Sequence, residues 1–299
     1  MSTPAVKNDT APAERVTIFG PGLIGGSIAM ALRSRYPGTN ISAWARNEEA
    51  LNDLTSRGLA DSISTDPAVA VEDADLVVLC TPVDSMEGLA RSMAPGLSAT
   101  AVITDAGSVK ACVVDQLTPI LGGSYVGAHP MAGSERAGLG AAREDLFEGA
   151  PCLVTPSRES AQSALGKVRG FWQDLGCAVT IMSPVEHDRL VARLSHLPHA
   201  LAYALMNLVI DTLPEGSQQL AGGSFRDATR VAASNPELWT GILTSNGPEV
   251  AAALREMSKL LKSMATAIGD ENPDSLLDFL KRAKHHRSAL SFPAPERAA

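Results

Sequence analysis

Residues Arg15 to Phe19 form an apolar, β-prone run that ends directly in Gly20-Pro-Gly22-Leu-Ile-Gly25, and from Ile24 to Leu32 apolar residues recur at helical spacing. This G-x-G-x-x-G turn between strand and helix constrains the chain more than any other feature. Its first glycine permits the tight turn, its second lets backbone approach a pyrophosphate, and its third lets the helix pack against the strand. Gly26 and Ser27 extend the small-residue surface at the helix start, where unpaired N–H groups and the helix dipole attract anions. The spacing predicts a dinucleotide site opening a βαβ unit.

Beyond the turn the chain keeps the same grammar. Short strands are expected at Ile41 to Trp44, Leu76 to Cys80, Ala101 to Thr104, Tyr125 to Ala128, Cys152 to Val154 and Ala178 to Ile181. Helices are expected between several of them, including Glu48 to Arg57 and Ala161 to Leu175. The continuous run Leu76-Val-Val-Leu-Cys80 suits a strand buried on both faces of a parallel sheet. Strand alternating with helix indicates a doubly wound α/β domain of the Rossmann type. After Ser183-Pro184 no strand is expected. Ser183 and Glu186 fit a capping box with Pro184 in the first turn, and helices are predicted over His187 to Leu213, Gly223 to Ser234, Pro236 to Thr244, Pro248 to Ile268 and Ser275 to His285. The organisation expected is a floppy tail over 1–14, a dinucleotide-binding domain over 15–183, a helical substrate and dimerisation domain over 184–290, and a tail over 291–299. Leu201, Leu205, Leu208 and Val209 present more apolar surface than one small lobe hides, so a homodimer through the helical domain is expected.

Composition narrows the function class. A formal charge of −8 argues against a general nucleic-acid binder. No run reaches the ~18 apolar residues of a membrane span, and the first dozen residues lack the core of a signal peptide. Cys80, Cys112, Cys152 and Cys177 stand far apart with no CxxC pair, which favours buried thiols in a reducing cytoplasm over disulfides or zinc.

The cofactor site is expected to comprise Gly20, Gly22, Leu23, Ile24 and Gly25 from the turn, with Thr81 and Pro82 after the run Leu76 to Cys80. A NAD-preferring site usually ends its second strand in an acid that binds the ribose 2′-hydroxyl. Here Ala45 holds that position and Arg46 follows, which tolerates a 2′-phosphate. NADP is therefore expected to bind at least as well as NAD, although Arg46 would equally stack on adenine in a NAD enzyme.

Chemistry-bearing residues cluster after the later strands, in Asp105-Ala-Gly-Ser108-Val-Lys110 and Gly127-Ala-His129-Pro-Met-Ala-Gly-Ser134-Glu135-Arg136. The helical half adds Ser195-His196-Leu-Pro-His199 and Thr229-Arg230-Val-Ala-Ala-Ser234-Asn-Pro-Glu-Leu-Trp239. His196 and His199 share one helix face, but no third ligand stands at metal spacing, so no metal is expected. In order and content, GPGLIGGS, DAGSVK, GAHPMAGSE, SHLPH and TRVAASNPELW resemble the prephenate/arogenate dehydrogenases of tyrosine biosynthesis, the TyrA family, over residues 15 to 280.

The resemblance implies NAD(P)-dependent oxidative decarboxylation of prephenate to 4-hydroxyphenylpyruvate, or of arogenate to tyrosine; relatives acting on 4-amino-4-deoxyprephenate are a third option. It implies that His129 accepts the proton of the C4 hydroxyl, that Ser108 hydrogen-bonds both, and that Arg230 grips the ring carboxylate. His199, Ser134, Glu135 and Trp239 are implied at the substrate pocket, with His196 organising its helix and Asp188 and Asp227 near the pocket entrance. A neutral imidazole suits the acceptor role and a guanidinium suits bidentate carboxylate binding. Neither the regulatory module nor the mutase of some relatives is visible, so a monofunctional enzyme is expected. Outside the family, a β-hydroxyacid dehydrogenase would need a catalytic lysine near a glycine-rich turn, which Lys259 and Lys262 lack. A non-catalytic dinucleotide sensor would not need His129, Ser108 and Arg230 together.

Overall fold

A computed structural model describes residues 13–134, 136–270 and 273–290. Both expected tails, apart from Ala13 and Glu14, and the loop residue Glu135 lie outside the described residues. The sheet contains β1 (Arg15–Phe19), β2 (Asn40–Trp44), β3 (Ser62–Ser64), β4 (Leu76–Leu79), β5 (Val102–Asp105), β6 (Tyr125–Pro130), β7 (Pro151–Thr155) and β8 (Ala178–Ile181). Their spatial order is β3-β2-β1-β4-β5-β6-β7-β8. The helices that connect them are α1 (Leu23–Arg35), α2 (Glu48–Ser56), α3 (Pro67–Ala70), α4 (Val83–Met93), α5 (Ala111–Leu121) and α6 (Gln162–Asp174).

Strand alternation builds two cores at once, because successive side chains leave opposite faces of a sheet. Val16, Ile18, Leu76, Val78, Val102 and Val126 join α1, α2 and α6 in one cluster. Phe19, Val77, Leu79, Ile103 and Tyr125 join α3, α4 and α5 in the other. Burying both faces of Leu76–Leu79 demands apolar residues at every position, and none of the four is exposed.

Strands β1 to β6 are parallel, but β7 runs antiparallel to β6. Among the described residues between them the one regular element is a short 3₁₀ turn at Leu139–Ala141, and the chain reverses beside β6 to continue the sheet with β7. Helix α6 then crosses to β8, parallel to β7. The edge strand β3, with two polar residues in Ser-Ile-Ser, is an addition to the expected set.

Past β8 the described residues are helical: α7 (Pro184–Val191), a π-turn at Ala192–His196, α8 (Leu197–Thr212), α9 (Gly223–Thr229), a 3₁₀ turn at Arg230–Ala233, α10 (Pro236–Ser245), α11 (Gly247–Gly269) and α12 (Pro273–Ala289). The Ser183–Glu186 capping box is present in both directions. The single helix expected from His187 to Leu213 is broken at the π-turn, where Leu197 N–H reaches back to the Ala192 carbonyl. Pro198 supplies the reason: it has no N–H to donate and its ring crowds the carbonyl four residues back, so the preceding turn widens.

The chain divides into two compact units, one ending at Gly247 and one beginning at Pro248. The helices up to Ser245 therefore pack in the same unit as the sheet. No described helix is long and apolar enough to cross a membrane.

Candidate active site

All six parallel strands point their carboxyl ends the same way, so the segments that follow β1, β2, β4, β5 and β6 meet along one rim of the sheet. Open α/β sheets bind ligands at that rim. Gly20 to Gly25, Arg46, Thr81, Ser108 and His129 all belong to it.

At the glycine turn each residue has a different duty. Gly20 takes φ +87°, a conformation that disfavours any side chain. A Cβ on Gly25 would collide with the Gly20 carbonyl oxygen, so the third glycine serves helix–strand packing. A Cβ on Gly22 would meet no protein atom within 4 Å; the second glycine leaves open space at the N-cap of α1. Leu23 and Ile24 form the first turn of that helix. Beside the turn, Thr81 Oγ1 is buried with no hydrogen-bond partner, and Pro82 is the N-cap of α4. An open cradle of helix N–H groups with an orphaned hydroxyl fits a dinucleotide phosphate. Arg46 is exposed just past β2, beside the buried Ala45.

After β5, Asp105 is fully buried and collects four donors. The Lys110 ammonium pairs with Oδ2, and Gly107 N–H donates to the same oxygen at 2.9 Å. Oδ1 accepts from Tyr125 Oη at 2.8 Å and Ala128 N–H at 3.2 Å. Lys110 Nζ also donates to the Ala128 carbonyl at 2.9 Å. Donors from the turn and from β6 thus converge on one carboxylate, and the segment carrying Ser108 is clamped to the strand carrying His129.

His129 keeps 7% of its surface exposed. Its Nδ1 lies 2.9 Å from His187 Nε2, and His187 Nδ1 lies 2.8 Å from Asp188 Oδ1. The Asp188 carboxylate accepts the backbone N–H groups of Lys110 at 2.8 Å and Ala111 at 2.9 Å, at the start of α5. Burial pushes the His129 pKa well below its ordinary value, and the neighbouring His187, Lys110 and His196 push the same way. Burial likewise lowers His187, against an opposing pull from Asp188. Burial would raise the Asp188 carboxyl, but His187 and the two amides outweigh it and hold the group below its usual range. Asp188 is 4% exposed, so it lies beneath the site and not at a pocket entrance as the resemblance implied.

The helical side joins through Asn246, whose amide donates to the Asp188 carbonyl at 2.8 Å and lies 3.2 Å from His196 Nδ1. His196 is fully buried, and burial brings its pKa to about 4. The Ser108 backbone draws it slightly upward, although no hydrogen bond of ordinary geometry reaches Nε2. His196 meets Trp239 edge-on at 6.1 Å. His199 stacks on Trp239 with ring centroids 3.6 Å apart. Its Nδ1 lies 2.9 Å from the Ser195 carbonyl oxygen, an acceptor, so Nδ1 is the donor. Burial lowers the His199 pKa, and the Arg230 charge lowers it further. Trp239 packs with Val109 of the clamped turn.

A continuous set of contacts thus runs from His129 through His187, Asp188, Asn246, His196 and Trp239 to His199 and the field of Arg230. Ser134 stands apart, exposed and bonded to the backbone of Arg136, and Asp227 is exposed on α9. Sequence reasoning missed His187, Asn246 and the Asp105–Lys110 pair. The signal for the last is an acid and a base at either end of DAGSVK; the others depend on contacts distant in sequence. No group of three or more metal-ligating side chains occurs among the described residues.

Residues 28–181 match the family described as prephenate dehydrogenase, nucleotide-binding domain, and residues 183–282 match prephenate dehydrogenase, dimerization domain. The chain is 36% identical over 281 residues to the cyclohexadienyl dehydrogenase of Zymomonas mobilis, covering 93% of this chain and 96% of that one. Its fold is similar to the prephenate dehydrogenase of A. aeolicus solved with hydroxyphenyl propionate and NAD+, with TM-score 0.88, 34% identity and 93% and 98% of the two chains covered. It is also similar to the arogenate dehydrogenase of Synechocystis, with TM-score 0.80, 30% identity and 92% and 99% covered.

Proposed function

The chain belongs to the prephenate dehydrogenase family, and from that membership we propose that it converts prephenate to 4-hydroxyphenylpyruvate by NAD(P)-dependent oxidative decarboxylation. When bound at the glycine turn, a nicotinamide dinucleotide supplies the hydride acceptor. The protein's own tasks are to take one proton and to align the ring. His129 takes the proton of the C4 hydroxyl at Nε2, with Ser108 holding that hydroxyl. Arg230 holds the ring carboxylate until it leaves as CO2, and aromatisation drives that departure. His199 and Trp239 form a flat stacked wall beside Arg230, suited to a six-membered ring. Ser134 and Glu135 belong to the segment between β6 and β7, whose role is closure over the substrate.

The observation that carries the reading is His129: an imidazole held neutral by burial, on the strand end that meets the cofactor rim. A general base must be unprotonated at the working pH, and burial favours that state in His129. Replacing it tests the assignment. His129→Asn should lower kcat by ~10²–10⁴ while leaving dinucleotide binding intact; a loss under about tenfold overturns the assignment.

Arogenate is a second reading, favoured by the likeness to the Synechocystis enzyme. Steady-state rates with prephenate and arogenate, each with NAD and with NADP, separate the two. A homodimer through the helical part belongs to the same proposal. Leu208, Leu213 and Leu220 are 58%, 50% and 89% exposed, and the matched description is of a dimerization domain; light scattering measures the mass. A cytoplasmic location is proposed on the free thiols of all four cysteines.

A further inference from the structure

We infer that His187 and Asp188 are positioning residues that fix His129 in a single tautomer, with the proton on Nδ1 and the lone pair of Nε2 free for the reacting hydroxyl. This deepens the proton-acceptor reading of His129 and rests on it.

At the far end of the row of contacts, Asp188 takes one backbone N–H on each carboxylate oxygen, from Lys110 and Ala111. Both are donors only, so the carboxylate is ionised and acceptor-only. Its Oδ1 lies 2.8 Å from His187 Nδ1. Two lone pairs cannot face each other at that distance, so Nδ1 of His187 carries a proton. Burial and Lys110 outweigh the pull of Asp188 and disfavour the charged form of His187. A neutral imidazole has one N–H, and it is spent on Asp188, so Nε2 of His187 is an acceptor. That acceptor lies 2.9 Å from His129 Nδ1. His129 Nδ1 must donate, and because His129 is also neutral, its Nε2 is bare. Which ring nitrogen is basic is set by the bond the other nitrogen makes; here the setting passes through a second imidazole.

One alternative leaves a conflict in the buried row, and the other satisfies the row but disables the base. The opposite tautomer of His187 would set its Nδ1 lone pair against the carboxylate. A charged His187 would donate from Nε2 to His129 Nδ1 and put the proton of His129 on Nε2, where it would block acceptance. His187 occupies Nδ1 of His129, which leaves Nε2 as the ring nitrogen for the reacting hydroxyl. The anchor is rigid as well: Asp188 is bonded to the start of α5, directly after the Asp105–Lys110 clamp, and its carbonyl is held by Asn246.

The test reads tautomer and turnover separately. Ring nitrogen NMR on protein labelled at its six histidines, with His129→Asn and His187→Phe used to assign signals, should show Nδ1 of His129 protonated and Nε2 unprotonated at neutral pH. In His187→Phe the preference should relax to a mixture and kcat should fall about tenfold or more with the substrate KM little changed, as expected when a base loses its tautomer and the pocket stays. His187→Gln, which returns an acceptor to His129 Nδ1, should recover most of the lost kcat. A wild-type spectrum with the proton on Nε2, or a His187→Gln variant no better than His187→Phe, overturns the inference. If His129→Asn keeps its turnover, the proton-acceptor reading fails on its own, and the wild-type spectrum still decides the tautomer.

Discussion

Lys110 and Asp105 form an ion pair with neither side chain exposed, at the two ends of the turn that carries Ser108. Such a pair is weak evidence for stability, because desolvation consumes most of the attraction, but breaking it leaves a buried charge unpaired. Lys110→Met should therefore cost about 3–5 kcal/mol in urea denaturation. Adding Asp105→Asn to that variant should recover part of the loss, since the remaining donors then face a neutral acceptor. A single variant within about 1 kcal/mol of the parent would mean that water already reaches the pair.

Legibility in the sequence follows the range of each interaction. The glycine turn, the Leu76–Leu79 strand and the Ser183–Glu186 capping box are written in adjacent residues, and each forms where its pattern stands. Ser62–Ser64 is invisible there because an edge strand of three residues needs little apolar signal. The π-turn is hidden for a different reason: the apolar period runs unbroken through Pro198, although that proline is what widens the turn. His187 and Asp188 are illegible because their partners are remote. Lys110 and Ala111 stand 78 and 77 positions from Asp188, and periodicity says nothing of which buried polar group meets which. Of the proposed pocket residues, His199 and Trp239 are in ring contact, whereas Ser134 bonds locally and Glu135 lies outside the described residues.

Two glycines three positions apart should separate stability from cofactor binding. Gly25→Ala drives a methyl into the Gly20 carbonyl and Ile18, so it should lose about 1–3 kcal/mol or more of stability. Gly22→Ala meets no protein atom and should cost under about 1 kcal/mol at that N-cap. Because its methyl enters the space left for pyrophosphate, dinucleotide affinity should fall about tenfold or more. Thermal denaturation and a fluorescence titration measure the two effects; equal losses of stability in both variants would contradict this division.

Acid should begin to destabilise the protein just below neutral pH. His129, His187, His196 and His199 all have folded pKa values below their ordinary value. Below the unfolded pKa the unfolded chain binds more protons than the native one, so stability is fully present above about pH 6.5 and is lost as pH falls. For His196 the loss continues down to about 4. Each such histidine contributes a slope of at most about 1.4 kcal/mol per pH unit. Urea unfolding between pH 7 and 5 should show the summed slope, and His196→Asn should flatten it. An unchanged slope in that variant would show that His196 is protonated alike in both states.

Arg46 should decide cofactor choice. It follows β2 where an acid would otherwise hold a ribose 2′-hydroxyl, and it is exposed. Arg46→Ala should weaken NADP by about 1.5–3 kcal/mol, the range of a charged hydrogen bond, and leave NAD nearly unaffected. Loss of affinity for both dinucleotides to the same degree would show the guanidinium stacked on the shared adenine instead. Placing Asp at position 45, with Arg46 retained, tests the same point from the other side: a carboxylate there should favour NAD and repel the 2′-phosphate. Because Ala45 is buried at 7% exposure, the Asp variant is read by the ratio of the two affinities, which a general loss of stability leaves unchanged.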